Sequence, residues 1–197
     1  MKLVALQPAH VTAIARLHAE ALAGDFLPSL GPAFLTTLYR GILELNLGFG
    51  FVAPGTAEDI AGFVIATDDS RSLFRKLITR RFFRLTWQVG VALLHHPRLV
   101  VRSVETFLYP SKEGTHTPAA ELLVIAVNAG DRNKGIGVAL VECLDESMHQ
   151  RKIARYKVTV LAANEAAQRF YRRLGFVLAT QFVMYGRPWN LFVRELS

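Results

Sequence analysis

The residues best placed for chemistry lie in one short turn that contains Arg132, Gly135 and Gly137. The turn follows an apolar run over residues 121–127 and opens into an amphipathic stretch over 138–150, so the pattern predicts a strand, a turn and a helix. Such a turn presents backbone N–H groups and the positive end of a helix dipole to an anion. Because glycine has no Cβ, the chain can pass close to a phosphate. The turn therefore indicates a phosphate-bearing ligand held by the backbone.

Composition places the chain among packed globular proteins. Hydrophobic residues make up 51% of its 197 residues and aromatic residues 10%, which is far more apolar than a disordered chain. The single cysteine, Cys143, excludes an internal disulfide framework and predicts a reducing compartment. No signal peptide is visible, and the longest apolar run, residues 87–94, is too short to span a membrane. The expected location is the cytoplasm.

The positive charge of the chain is unevenly distributed. The net charge is +7, and a basic balance favours nucleic acid, anionic membranes or acidic ligands as partners. No zinc-finger or RNA-binding motif accompanies the charge, so no nucleic-acid partner is expected. The basic side chains crowd one segment and are Arg71, Arg75, Lys76, Arg80, Arg81 and Arg84.

Hydrophobic periodicity and turn residues predict strands that alternate with helices. The predicted strands are residues 1–5, 49–53, 60–66, 121–127, 156–161, 176–185 and 189–195. The predicted helices are residues 9–23, 34–45, 135–150 and 165–174, and the Pro and Gly content of residues 26–32 predicts a loop. This order predicts an α/β or mixed α+β protein with one sheet, in a single domain over residues 1–197.

Residues 70–109 differ in character from the rest, because apolar side chains at helical spacing share this segment with a basic face. We interpret the segment as a helical insertion between two strands. Three roles stay open for it. It could be a lid whose cations draw an acidic acceptor, a surface that lies on an anionic membrane, or a face that packs on the body or on a second copy of the chain.

Two motifs together resemble the GNAT family of acetyl-CoA-dependent N-acetyltransferases. The first is the family's Arg/Gln-x-x-Gly-x-Gly/Ala pattern, which Arg132, Gly135 and Gly137 match directly after a predicted strand. The second is Asn-x-x-Ala-x-x-Phe-Tyr-x-x-x-Gly-Phe, which residues 164–176 match at the end of the next strand. The resemblance implies the GNAT fold, with a central mixed, mostly antiparallel sheet flanked by helices and with the insertion added to it.

The resemblance implies that acetyl-CoA is the co-substrate and that backbone amides hold its diphosphate. The implied positions in the loop and first helical turn are Arg132, Asn133, Lys134, Gly135, Ile136, Gly137 and Val138. Family members also open the preceding strand from its neighbour and expose backbone to the pantetheine arm. The matching positions are Ile125, Ala126 and Val127, whose amides could stabilise an oxyanion. A plain tight turn and ordinary core packing are the alternatives for these residues.

The second motif supplies a candidate acid and a candidate cap. The resemblance implies that the Tyr171 hydroxyl protonates or stabilises the departing CoA thiolate, and the alternative is an amphipathic tyrosine at the core edge. Asn164 is expected to cap the helix that begins at Glu165, and in the family this residue also contacts the pantetheine arm.

A general base is harder to identify from the residues. Glu121, at the start of the central strand, is the candidate because acidic residues near this position are the base in some family members. A structural role for Glu121 and a water relay remain alternatives, because geometry decides which group reaches the proton. His116, just upstream, is a further candidate. No His, Cys, Asp or Glu cluster has metal-ligand spacing, so no metal is expected.

The sequence therefore predicts an enzyme that moves an acetyl group from acetyl-CoA to a primary amine by direct transfer. Small amines, amino sugars and protein amino termini remain open as acceptors, and the basic insertion favours an anionic small molecule. Two other classes remain open, a non-catalytic acyl-CoA-binding module and a membrane-surface interaction module. A homodimer is also open.

Overall fold

The computed structural model describes residues 2–55, 59–77 and 117–196. Its strands are β1 (Val4–Ala5), β2 (Phe49–Pro54), β3 (Ile60–Thr67), β4 (Glu121–Val127), β5 (Arg155–Leu161), β6 (Val177–Met184) and β7 (Arg187–Glu195). Its α-helices are α1 (Val11–Ala21), α2 (Phe26–Ser29), α3 (Pro32–Glu44), α4 (residues 70–77), α5 (Ile136–Gln150) and α6 (Glu165–Arg173). Short 3₁₀ turns lie at Pro8–His10 and Ala129–Asp131.

The strands form one sheet in the order β1-β2-β3-β4-β5-β7-β6. Every neighbouring pair is antiparallel except β4 and β5, which run parallel. The parallel pair is connected through α5, as a parallel crossover requires. The sequence-based expectation of a mixed, mostly antiparallel sheet flanked by helices is confirmed.

Helices cover both faces of the sheet and define two apolar cores. On one face α5 lies mainly over β2 and β3 and places Leu140, Leu144 and Met148, all 0% exposed, in a core that also contains Val158 of β5. The other face carries α1, which lies over β3 and β4, and α3, which packs on α1. Strand β3 is buried along its whole length, because it has helices on both sides. This explains why its sequence is a continuous apolar run.

The predicted loop over residues 26–32 contains α2, and α3 begins earlier than periodicity suggests. A helix as short as α2 carries too few residues to show a helical repeat. Gly31 lies before α3 with φ of 88°, and Pro32 occupies its first turn, where a missing N–H costs nothing. The insertion predicted over residues 70–109 is helical over 70–77, and its remainder lies outside the described residues.

A buried histidine–tyrosine pair joins α1 to α3. His18 Nδ1 lies 2.5 Å from the Tyr39 hydroxyl oxygen, and the Tyr39 ring meets Phe63 of β3 edge-on at 6.3 Å. Burial lowers the pKa of His18 from 6.5 to about 4, and burial raises the pKa of Tyr39. The pair is therefore neutral in the folded protein at neutral pH.

This pair predicts an acid-sensitive step in stability. The unfolded chain protonates His18 below about pH 6.5, whereas the folded protein resists protonation until about pH 4, so the free energy of unfolding falls across this window. The shift in the pKa of His18 predicts that the free energy of unfolding falls by about 3 kcal/mol between pH 7 and pH 4. Urea titrations as a function of pH should show this slope in the wild type and a flatter slope in His18→Gln. Replacement of the exposed His149 by Gln is the matched control, and equal slopes in His18→Gln and wild type would contradict the assignment.

Candidate active site

The turn between β4 and α5 is shaped by local hydrogen bonds and left-handed backbone. The Asn128 side chain accepts a hydrogen bond from the Gly130 N–H at 3.2 Å. Asn133 and Gly135 then adopt φ of 62° and 81°, and Gly135 is the residue before the first turn of α5. The first bond within the helix runs from the Ala139 N–H to the Gly135 carbonyl oxygen at 3.0 Å. The N–H groups of residues 136–138 therefore precede the first bond of the helical ladder, as the first N–H groups of an α-helix do.

The two glycines of the turn are required for different reasons. A Cβ on Gly135 would meet nothing within 4 Å, so glycine is favoured there by its positive φ. A Cβ on Gly137 would lie 3.3 Å from the Phe170 ring and 3.8 Å from Val127. Gly137 thus lets α5 approach α6, and it brings the two sequence motifs together in space.

The charged side chains of the turn lie at the surface. Arg132 Nε donates to the Val127 carbonyl oxygen at 3.5 Å, so Arg132 folds back along the end of β4. Lys134 Nζ pairs with Asp131 Oδ1 at 2.7 Å. Both cations remain near the turn, and their side chains are exposed. They add positive potential to a site whose directional donors are backbone amides.

The pairing of β4 with β5 is limited to two pairs of residues. It consists of Glu121 opposite Lys157 and Leu122 opposite Val158. Beyond that point β5 keeps its pairing with β7 as far as Leu161, while β4 continues beside β3 alone. The edge of β4 that faces β5 is therefore open from residue 123 onward.

The direction of individual amides on this open edge follows from one hydrogen bond. The Asn128 N–H donates to the Ala61 carbonyl oxygen, back toward β3, at 2.9 Å. Because successive residues of a strand direct their N–H groups to opposite sides, the amides of Ile125 and Val127 face the open edge. The amide of Ala126 faces β3. Two of the three predicted positions thus present donors to the opening.

Tyr171 lies on α6 in the core that α5 and α6 share with the sheet. It is 5% exposed, and its ring meets those of Phe170 and Phe176 at centroid distances of 5.2 and 5.1 Å. Burial raises the pKa of its phenol, so the hydroxyl stays protonated at neutral pH and can donate a hydrogen bond. Within the described ranges no side chain or carbonyl group forms a hydrogen bond with the Tyr171 hydroxyl, so this hydroxyl can donate to a ligand.

Asn164 has the capping geometry that the sequence predicts. Its side-chain oxygen accepts from the Ala167 N–H at 3.0 Å, and α6 begins at the next residue. The cap fixes the start of the helix that carries Tyr171. Asn164 itself is exposed.

Glu121 is buried beside a lysine that the sequence alone did not single out. It is 4% exposed and Lys157 is 1% exposed, and Lys157 Nζ lies 3.6 Å from Glu121 Oε2. The pair marks the point from which β4 and β5 separate. A carboxylate already held beside an ammonium group is well suited to fix the two strands at this point.

Removal of one member of this pair should destabilise the fold. Lys157→Met removes the ammonium group that lies beside the buried Glu121 carboxylate, and we expect a loss of about 3–5 kcal/mol in the free energy of unfolding. Lys157→Arg keeps the positive charge, so its free energy of unfolding should fall much less. Urea denaturation measures both, and Glu121→Gln added to Lys157→Met should recover part of the loss. Unchanged stability of Lys157→Met would show that the pair does not hold the strands.

The described residues contain neither a metal-ligand cluster nor a membrane-spanning helix. Over residues 2–55, 59–77 and 117–196, no three His, Cys, Asp or Glu side chains lie together as metal ligands would. No helix in the described part of the chain combines the length and apolar character needed to cross a membrane. His116, the further base candidate, and the basic residues Arg80 and Arg84 lie outside the described residues.

The comparisons with known proteins agree with this architecture. A model of the acetyltransferase (GNAT) family matches residues 22–176, and the chain belongs to this family. The family uses acetyl-CoA as its co-substrate. Mycothiol acetyltransferase from Thermobispora bispora is 34% identical over 82 residues. The match spans 42% of this chain and only 28% of that protein.

Solved structures share the fold at low sequence identity. Ard1 from Thermoplasma volcanium superposes with a TM-score of 0.61 at 16% identity, covering 100% of this chain and 97% of that one. A GNAT-family acetyltransferase from Desulfovibrio desulfuricans gives 0.63 at 14% identity over 100% of both chains. The ribosomal-protein-S18-alanine N-acetyltransferase from Escherichia coli gives 0.56 at 18% identity, covering 100% and 94%. These likenesses establish the fold alone.

Proposed function

We propose that this protein transfers the acetyl group of acetyl-CoA directly to the primary amine of a small molecule. The observation that carries the proposal is the meeting of three features at one place. The open edge of β4 runs into the amino-terminal end of α5, and Tyr171 of α6 lies in the same core as Ile125 and Val127. We also infer that residues 1–197 form one acetyltransferase domain, which the family match over 22–176 supports.

Each group in this arrangement has a separate role in the proposal. The amides of residues 136–138 hold the diphosphate at the positive end of α5. The amides of Ile125 and Val127 orient the thioester carbonyl and stabilise the charge that develops on its oxygen. The hydroxyl of Tyr171 donates to the departing thiolate, because burial keeps the phenol protonated.

We propose Glu121 as the general base. Its burial beside Lys157 keeps its carboxylate from direct contact with a substrate in solvent. An amine must lose a proton before or during attack, and the base must come within hydrogen-bond reach of that proton. Glu121 lies at the closed end of the separation between β4 and β5. A water chain from this carboxylate to the amine would satisfy the geometry without exposing Glu121.

The proposal is tested by thiol release from acetyl-CoA in the presence of a panel of amines, alongside calorimetric titration with CoA. We expect CoA binding and amine-dependent thiol release. CoA binding without turnover for any amine would instead support a non-catalytic acyl-CoA-binding module. No CoA binding by folded protein would contradict both.

A further inference from the structure

Three side-chain amides form a continuous series of hydrogen bonds that connects β6, β7 and α6 to the loop after β5. Gln181 of β6 donates from Nε2 to Asn190 Oδ1 at 2.8 Å, and Asn190 of β7 donates from Nδ2 to Gln168 Oε1 at 3.0 Å. Gln168 of α6 then donates from Nε2 to the carbonyl oxygen of Ala162 at 2.7 Å. We call Gln181, Asn190 and Gln168 the amide chain.

The middle residue of the amide chain is buried. Asn190 is 5% exposed, and Leu191 and Phe192, which follow it in β7, are 0% exposed. Burial of an amide costs stability unless its polar atoms form hydrogen bonds, and Asn190 uses both a donor and an acceptor in the amide chain. A satisfied network of buried polar groups makes the surrounding structure rigid and favours one arrangement of it. The amide chain is therefore suited to fix α6 relative to β7.

Helix α6 has little buried surface of its own that could fix its position. Within the helix, Tyr171 is the one buried residue, and Phe170 beside it lies against Gly137 of α5. Gln168 precedes Tyr171 by three residues, so the two side chains are neighbours on one side of the helix. A movement of Gln168 relative to β7 would therefore carry the Tyr171 hydroxyl with it.

The amide chain also acts on the strand that borders the open edge of β4. Strand β5 pairs with β4 only at Lys157 and Val158, so beyond Val158 its strand partner in the described sheet is β7. The Ala162 N–H, just after β5, donates to the Pro188 carbonyl oxygen at 2.9 Å, and the Ala162 carbonyl oxygen accepts from Gln168. Both backbone groups of Ala162 are thus connected to β7, which fixes the end of β5 and the start of α6 together.

We propose that the amide chain positions the Tyr171 hydroxyl for acetyl transfer, and that Gln168 and Asn190 are positioning residues of the reaction. This inference rests on the proposed function and adds two residues that act through α6 without contacting the acetyl group. The amide chain holds α6 on β7, and α6 carries the hydroxyl that donates to the departing thiolate. Misplacement of a reacting group by about 1 Å can lower a rate by about 100-fold.

The first test removes the amide of Gln168 and keeps the length of its side chain. Gln168→Met cannot form either hydrogen bond, so kcat should fall about 10-fold because the hydroxyl is no longer held in place. The proposed diphosphate site lies on α5, so the dissociation constant for CoA should change by less than about 3-fold. Thiol release measures kcat and KM, and calorimetry measures CoA affinity. An unchanged kcat in Gln168→Met would overturn the inference.

A double-mutant cycle separates positioning from a general disturbance of the site. In a Tyr171→Phe background the hydroxyl is already absent, so Gln168→Met should lower kcat by less than about 2-fold further. The two single substitutions would then be strongly non-additive. A general disturbance would instead lower kcat by the same factor in both backgrounds, and that result would overturn the inference.

The remaining variants grade the effect along the amide chain and control for lost stability. Asn190→Leu removes the middle link and should also lower kcat about 10-fold, whereas Gln181→Leu removes only the outermost link and should have the smallest effect. Tyr39→Phe is the matched control, because it removes the buried hydrogen bond with His18 on the other face of the sheet. It should cost about 1 kcal/mol of stability or more with kcat largely preserved. Equal kcat in Tyr39→Phe and Gln168→Met would contradict positioning.

Hydrogen exchange keeps the inference separate from the proposed function, because it needs no substrate. In Gln168→Met the Ala162 amide should exchange faster than in wild type, and by a larger factor than the amides of buried β3, which report global unfolding. Amine-dependent turnover in wild type, with kcat and Ala162 exchange both unchanged in Gln168→Met, would overturn the positioning role and leave acetyl transfer intact. Failure of the wild type to bind CoA would instead contradict the proposed function.

Discussion

Tyr171→Phe is expected to lower kcat by about 100-fold, while the dissociation constant for CoA stays close to that of wild type. General-acid assistance is worth about 10²–10⁴-fold when a positioned group is removed, and the phenol hydroxyl is the only part of the side chain that the change deletes. Phenylalanine preserves the ring contacts with Phe170 and Phe176, so the fold should be retained. Steady-state thiol release measures kcat, and calorimetry measures CoA affinity.

A second buried tyrosine provides the matched control for this result. The Tyr156 hydroxyl donates to Asp145 at 2.6 Å, and its ring meets Phe176 edge-on. Tyr156→Phe removes a hydroxyl from the same apolar core, and it should cost about 1 kcal/mol of stability or more with kcat largely preserved. Turnover that falls equally in both variants would indicate a structural effect and would remove Tyr171 from the acid role.

Gly135→Glu should weaken CoA binding by about 100-fold, equivalent to roughly 2.7 kcal/mol. The substitution places a negative charge at the end of α5 to which we assign the diphosphate, and like charges at close range repel. It also imposes a side chain on a backbone with φ of 81°, which carries a cost in stability. Calorimetric titration with CoA measures the change in affinity directly.

Gly31 supplies a control in which the same glutamate is placed on a positive-φ glycine before a different helix. Gly31 has φ of 88° and precedes α3 as Gly135 precedes α5, and a Cβ added at either glycine would have no atom within 4 Å. Gly31→Glu carries the same charge at a different helix. Its backbone cost is larger, because Gly31 has ψ of 162° in a region that essentially only glycine adopts, whereas Gly135 has ψ of −2° in the left-handed helical region. We expect Gly31→Glu to lose at least as much stability as Gly135→Glu, and only Gly135→Glu to lose CoA affinity. A full-affinity Gly135→Glu protein would contradict the placement of the diphosphate.

The half of the chain that carries the two motifs was the easier part to predict. Strand β4 begins and ends where the sequence predicts, and α5 and α6 differ from prediction by one residue at one end. These elements have strong periodicity, and their starts are marked by Gly135 and Asn164. Periodicity and helix-start residues depend only on neighbours in the chain, so they can be recognised from the sequence.

The features that complete the site depend on contacts between distant residues. The brief pairing of β4 with β5 is a property of how two strands distant in the chain meet, and β5 stays paired with β7 along its whole length. Gly137 fits its position because Phe170 approaches it from α6. The ion pair of Glu121 with Lys157 depends on strand register. Periodicity cannot report these contacts, although a lysine within an apolar strand is a signal that could have directed attention to Lys157.

The most direct test of the proposed acetyl transfer is a crystal structure of the protein with CoA bound. We predict diphosphate oxygens within about 2.7–3.2 Å of the backbone nitrogens of residues 136–138, and pantetheine along the open edge of β4 at Ile125 and Val127. The CoA sulfur should lie within reach of the Tyr171 hydroxyl. A nucleotide bound elsewhere, or a diphosphate held only by side chains away from the amino-terminal end of α5, would contradict this placement.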